Sequence, residues 1–141
     1  MEASSPARIL VVANRTAATP ALLAVVRERV AQGPCRFTLL VPRAYWDADT
    51  EESAITLELA IPLMDEAAGG HVQGLIGDVD PFLAVRAALE REPFDEVVIS
   101  TLPTHVSRWL RVDLPARVRR LGVHVTVVTA QRADRELGPP T

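Results

Sequence analysis

The chain has 141 residues, 48% hydrophobic and 23% charged, with a formal net charge of -3, the usage of one ordinary globular domain. It contains no lysine, so all 15 cationic side chains are arginines; a P-loop lysine, a Schiff-base lysine and a lysine general base are excluded. Cys35 is the lone cysteine, which rules out an intramolecular disulfide and leaves no basis for a cysteine metal site.

The opening Met1–Pro6 carries neither a basic stretch nor an apolar core of the kind a signal peptide or anchor uses. The first apolar run, Ile9–Val12, is unbroken, as in a strand covered on both faces of a parallel sheet. Thr19 then reads as an N-cap with Pro20 at the first helical position, and Leu22, Leu23, Val26 and Val30 form one helical face. Leu39–Val41 reads as a second strand. Ile55, Leu57, Leu59, Ile61 and Leu63 alternate as in a strand, yet Glu51 and Glu52 suit a first helical turn and a crossover is needed here. The segment is therefore assigned as helix, with Pro62 as a kink.

Val72–Ile76 is a weaker strand whose Gly74 suits an edge. Asp80-Pro81 repeats the N-cap and proline pair, followed by Phe82, Val85 and Leu89 at helical spacing. Val97–Ile99 reads as the fourth strand. Asp113 and Pro115 open a last helix with Leu114, Val118 and Leu121 on its face and Gly122 as its stop, and Val125–Val128 is the fifth strand. The order β-α-β-α-β-α-β-α-β predicts a doubly wound, open parallel five-stranded α/β sheet of order 3-2-1-4-5, as one domain over 1–141 with its core at 8–129 and a loose tail at 131–141.

Such sheets bind ligands beyond the carboxyl ends of the strands where the order reverses, here between the first and fourth strands. Ala13-Asn14-Arg15-Thr16 and Ser100 to His105 leave those strands and form the polar crevice. Asn14, Ser100 and Thr101 suit backbone satisfaction at strand ends equally well. Arg15, Arg108 and Arg111 fall near its mouth, where they either meet a small anion or stay solvated.

At this point the chain resembles the universal stress protein family. Ile9 to Thr16 is similar to that family's first strand, which ends in Asp-Gly-Ser. Gly77-Asp78-Val79-Asp80-Pro81 is similar to its Gly-Asp turn, and Ser107 to Leu110 with Leu114 to Val128 are similar to its last helix and strand. The resemblance covers Arg8 to Thr129.

Nucleotide-binding members carry Gly-x-x-Gly, nine residues, then Gly-Ser or Gly-Thr. This chain has Ile99-Ser100-Thr101-Leu102, the same interval, then Val112-Asp113, so the spacing stands and every glycine is absent. Those glycines let backbone N–H groups approach phosphate. Leu102 and Val112 obstruct that approach, and Asp113 sets a carboxylate against phosphate. At about 4 Å two like charges cost about 4 kcal/mol at an effective dielectric of 20. The family's Asp and Gly after the first strand are Asn14 and Arg15 here. The resemblance so altered implies no ATP or AMP of the usual kind and no cofactor. Were a ligand held, the crevice residues would be Ala13, Asn14, Arg15, Val41, Gly77, Thr101, Leu102 and Ser107, with Val41 included because the family's adenine meets backbone there.

No catalytic residue is assigned. His71, His105 and His124 are too scattered for a metal centre, and only His105 falls in the crevice loop, without a positioned partner. Ser107 lacks a Gly-x-Ser-x-Gly elbow, and no Walker A or dinucleotide fingerprint is present. From His105 to Arg120 five arginines stand against one aspartate, but no aromatic interleaving or nucleic-acid motif accompanies them. Trp109 reads as a packing anchor. The expected partner is a second copy. The last strand is an edge without lysine, proline or bulge, and in the resembled family that strand, here with Val125 and Val127, pairs with its two-fold mate. The expected product is a non-catalytic dimeric regulatory or interaction module in the cytoplasm, with no membrane or nucleic-acid partner. A nucleotide or small-anion binder with a modified crevice is the alternative.

Overall fold

A computed structural model describes residues 6–13, 18–43, 51–101 and 113–129. Five strands, β1 (Ala7–Val12), β2 (Cys35–Pro42), β3 (Gln73–Gly77), β4 (Glu96–Thr101) and β5 (His124–Thr129), alternate with four helices. These are α1 (Pro20–Gln32), α2 (Glu51–Ala68), α3 (Pro81–Arg91) and α4 (Leu114–Arg119). All strand pairs are parallel and the sheet order is β3-β2-β1-β4-β5, as the alternating pattern predicts.

The unbroken apolar runs serve two faces. Ile9 and Val11 of β1 pack with Leu22 and Val26 of α1 and Met64 of α2. Leu10 and Val12, pointing the other way, pack with Phe82 and Val85 of α3 and Leu114 and Val118 of α4. A strand covered on both sides has no polar alternation to show. Each buried leucine or isoleucine contributes about 1.5–3 kcal/mol.

The helix starts follow their side chains. The Thr19 hydroxyl accepts from the Leu22 N–H at 3.3 Å, and Asp80 accepts from Phe82 and Leu83 at 2.9 and 3.4 Å; Pro20 and Pro81 each occupy the first turn. The last helix departs from expectation at both ends. Asp113 stands at the cap position with helical dihedrals and makes no side-chain cap bond. Leu121 is 42% exposed, because α4 ends at Arg119 and turns through Gly122, whose φ of 91° is the left-handed value glycine tolerates. Arg117, one of the five arginines from His105 to Arg120, lies 3.9 Å from the centre of the Phe82 ring, a cation–π contact between α4 and α3.

Two interactions fix the layers. Gly77 ends β3 where α3 comes closest: a Cβ there would stand 2.6 Å from the Ala84 Cβ and 2.9 Å from the Leu40 Cδ1. The Ala84 Cβ is fixed to the helix backbone, so any side chain at 77 drives α3 off the sheet. On the other face, Arg29 of α1 binds Glu96 of β4 through Nε and Nη2, both at 3.0 Å, and the Thr126 hydroxyl of β5 donates to the same carboxylate. Glu96 is 8% exposed. Burial alone would push its carboxyl up. Hydrogen bonds from Arg29 and Thr126, with the attraction of Arg29 and His124, outweigh that and hold it below the ordinary value near 4.5.

Two outcomes follow. Gly77→Ala should cost about 1–3 kcal/mol in urea unfolding, as overpacked cores do, and the double variant Gly77→Ala/Ala84→Gly should recover more than the sum of the single changes. Additive singles would mean that the close approach is not what requires glycine. For Glu96 the lowered folded value means that its stabilisation is present above the unfolded value and lost as pH falls through the folded one. Glu96→Gln should therefore cost about 3 kcal/mol at pH 7, as a broken buried pair does. The gap to the unmodified protein should narrow as pH falls below the unfolded value near 4.5 and close only once the lowered folded value is passed and Glu96 is neutral in both states. A gap independent of pH would show that packing, not charge, makes the contribution.

Candidate functional site

The site begins from a topological fact. β1 and β4 are neighbours, with Val12 beside Ile99, yet the helices that follow them lie on opposite faces, α1 with one core cluster and α4 with the other. Two chains leaving in opposite directions open a crevice at the carboxyl ends. The described candidates sit along that edge on consecutive strands: Gly77 at the end of β3, Val41 near the end of β2, Ala13 just after β1 and Thr101 at the end of β4. Asn14, Arg15, Leu102 and Ser107 lie outside the described residues, as do His105, Arg108 and Arg111.

Each described candidate offers something different. Ala13 is 3% exposed and belongs to the core on the α1 face, while its N–H donates to the Leu40 carbonyl at 3.1 Å. Val41 is fully buried, so only its backbone can meet a ligand. The Gly77 carbonyl accepts from the Arg43 N–H at 3.1 Å, and the glycine itself is accounted for by Ala84 and Leu40. The turn after it is held internally, since Asp78 accepts from the Asp80 N–H at 2.9 Å and Asp80 caps α3. A ligand is not needed to explain the Gly77 to Pro81 pattern.

Thr101 is the exception. It is 3% exposed, beside Thr129 of β5, and its hydroxyl has no hydrogen-bond partner among the described residues. A buried hydroxyl left unpaired costs about 1–3 kcal/mol, so this group is the one at the crevice that a bound polar atom or water would satisfy. Ala18, between β1 and the cap of α1, has a φ of 66°; in that left-handed region a side chain costs about 1–2 kcal/mol. Such strain gathers in loops beside functional sites. Nothing in the sequence signals it.

The perturbed groups lie at the opposite end of the sheet. A cavity of about 500 Å³ there is lined by strand starts, Ala7, Cys35, Glu96 and His124, with Arg29 beside them. Every nitrogen of the Arg29 guanidinium is engaged by Glu96 or Glu28, and those bonds raise its pKa. The Cys35 thiol is pushed up by burial, the reverse of an activated nucleophile. This end holds the fold together, and its guanidinium is fully engaged within the chain. Sequence reading missed it because Arg29 and Glu96 are 67 positions apart and neither sits in a motif. His71 and His124 are exposed, and among the described residues no group of three or more His, Cys, Asp or Glu side chains is placed to hold a metal. No described helix is long and apolar enough to cross a membrane.

No protein-family model matches the chain, and no curated protein is significantly similar to it in sequence. Solved structures do match. A crystal structure of a universal stress protein in complex with cAMP superposes with a TM-score of 0.61 at 14% identity, covering 90% of this chain and 99% of that one. The lipopolysaccharide core biosynthesis protein from Thermoplasma volcanium GSS1 superposes with a TM-score of 0.51 at 11% identity, covering 92% of this chain and 100% of that one. The resemblance read from the first strand, the Gly77-Asp78 turn and the last helix is thus matched by the whole architecture, and the chain has the fold of the universal stress proteins.

Proposed function

We propose that the chain is a non-catalytic, universal-stress-protein-like module that works as a homodimer and does not hold ATP in that family's usual way. The observation that carries this reading is the state of β5. It is an outermost strand of the sheet, its run His124-Val125-Thr126-Val127-Val128-Thr129 has no proline or glycine, and Val125 and Val128 are core residues while Val127 is half-buried. By contrast the other edge strand, β3, carries Gly74 and Gly77 and is exposed over its first two residues. An unguarded apolar edge pairs with another strand when one is offered, and a second β5 offers an identical one.

Asp113 supports the loss of ATP. It is exposed at the start of α4, on the crevice side of the sheet, and its carboxylate is not used as a cap. In the resembled family a hydroxyl at this position meets phosphate.

A second reading has its own observation. The unpartnered Thr101 hydroxyl favours a small anion or a nucleotide in another pose, with Asn14, Val41, Gly77 and Ser107 contributing. Native mass spectrometry of gently purified protein distinguishes the two, since a retained mass released on denaturation belongs only to the second.

Sedimentation equilibrium at tens of micromolar should give a dimer, and a single species at the 15.3 kDa monomer mass would sink the proposal. Val127→Arg should shift that dimer to monomer by burying an unpaired charge, with far-UV circular dichroism confirming that the variant is folded. Calorimetry with magnesium ATP should show no site tighter than about 100 μM, roughly 5.5 kcal/mol. The variant Leu102→Gly/Val112→Gly/Asp113→Ser should bind ATP more tightly than the unmodified chain. Micromolar binding by the unmodified chain would refute the steric and electrostatic argument.

A further inference from the structure

Helix α2 has two apolar faces where the fold uses one. Leu57, Ala60, Ile61 and Met64 pack into the core on the α1 side. Ile55, Leu59 and Leu63 recur every fourth residue on the outside and are 51%, 71% and 46% exposed, with exposed Pro62 beside them. Single exposed leucines are ordinary. Three aligned over successive turns form a contiguous apolar stripe, and such patches mark interaction surfaces.

The charge around the stripe selects its occupant. Between Glu51 and Ala68 the helix carries five acidic residues and no basic one, and the stripe is flanked by exposed Glu58 and Glu66. Asp65 is set aside, since its carboxylate accepts from the Val72 N–H at 2.7 Å. An anionic membrane would be repelled by this border. A second copy fits poorly too. In a two-fold antiparallel pairing centred on Leu59, Ile55 meets Leu63 and the exposed Glu58 of each copy falls on the same flank next to the axis, so like charges crowd at its centre. The neighbouring helix α1 brings exposed Arg27 and Glu28 together, which adds no net charge.

We propose that this outer face of α2 docks a basic amphipathic helix of another protein. The partner's apolar stripe covers Ile55, Leu59 and Leu63, and its arginines or lysines meet Glu58 and Glu66. Anchors spaced four residues apart match the pitch of a helix laid along a helix. The surface stands on the β2–β3 side of the sheet, away from β5, so this docking does not depend on the dimer or on the crevice.

The test uses the full chain and a labelled synthetic peptide of about 18 residues, long enough for several helical turns. The peptide has leucines at helical spacing flanked by arginines, and a control carries glutamates in their place. Fluorescence anisotropy should show saturable binding of the basic peptide at tens of micromolar and none of the acidic one. Raising salt from about 50 to about 500 mM should weaken binding at least about ten-fold, as screening requires. Leu59→Ser, at a site too exposed to matter for folding, should weaken it at least about ten-fold. Glu58→Arg/Glu66→Arg should reverse the preference toward the acidic peptide. The proposal is overturned by absent binding, by equal affinity of Leu59→Ser, or by a preference that charge reversal leaves unchanged. It is also overturned if Leu59→Ser lowers the sedimentation mass of the protein alone, since the occupant is then a second copy.

Discussion

Everything in this molecule depends on burying β1 and β4 from both sides. A parallel sheet has no hairpins, so each strand reaches its neighbour through a crossover, and the crossovers must cover both faces. Val11 and Leu39 face α1 and α2, Leu10, Leu40 and Val97 face α3 and α4, and all five are completely buried; with a helix layer on one side only, one set or the other would be exposed. Because α1 and α2 cover one face and α3 and α4 the other, the winding must reverse, and it reverses between the two most enclosed strands. The crevice is a by-product of that burial. Its position comes from topology, whereas its chemistry comes entirely from the residues that happen to leave β1 and β4.

The two ends of the sheet treat polar groups in opposite ways. At the amino end Arg29, Glu96 and Thr126 tie α1, β4 and β5 into one network, and each partner is satisfied by another. This linkage crosses the line of reversal, so it sets how β4 and β5 lie against the half built from β1, β2 and β3. At the carboxyl end the Thr101 hydroxyl is left unpaired among the described residues, and Ala18 holds a strained backbone. A sheet braced at one end can carry unsatisfied and strained groups at the other, which is where pre-organisation for a ligand is useful.

The strands, their parallel order and two of the helix starts were legible because each is written locally. Unbroken apolar runs announce two-sided burial, and Thr19-Pro20 and Asp80-Pro81 announce caps. What escaped reading was set at a distance. Strands β2 and β4 begin earlier than their apolar runs, at Cys35 and Glu96; β1 pairs with β2 from Cys35 onward, and Glu96 is held by Arg29 and Thr126 from distant parts of the chain. Leu121 looked like the last residue of a helical face and is exposed because α4 stops two residues sooner. Of the crevice, sequence located the edge and four candidates that stand on it. It could not say that Gly77 is required by Ala84 rather than by a ligand, since only the approach of α3 reveals that.

The alternation from Ile55 to Leu63 looked strand-like for a physical reason. In a helix, residues two apart point to nearly opposite sides, so alternating apolar residues produce an inner row, Leu57 and Ile61, and an outer row, Ile55, Leu59 and Leu63. The inner row is enough to attach α2 to the sheet, and the outer row adds nothing to that attachment. It lies over the strands at one edge, β2 and β3, while β5 forms the other edge. If β5 joins two copies into one continuous sheet, the two α2 faces come to stand at its far ends, both free at once. A partner bearing two basic helices on a linker able to span that sheet would then bind with the effective concentration of a tethered ligand. Each α2 face would bind alike in monomer or dimer, and dimerisation would add only avidity for such a two-headed partner, without any change in the structure of either copy.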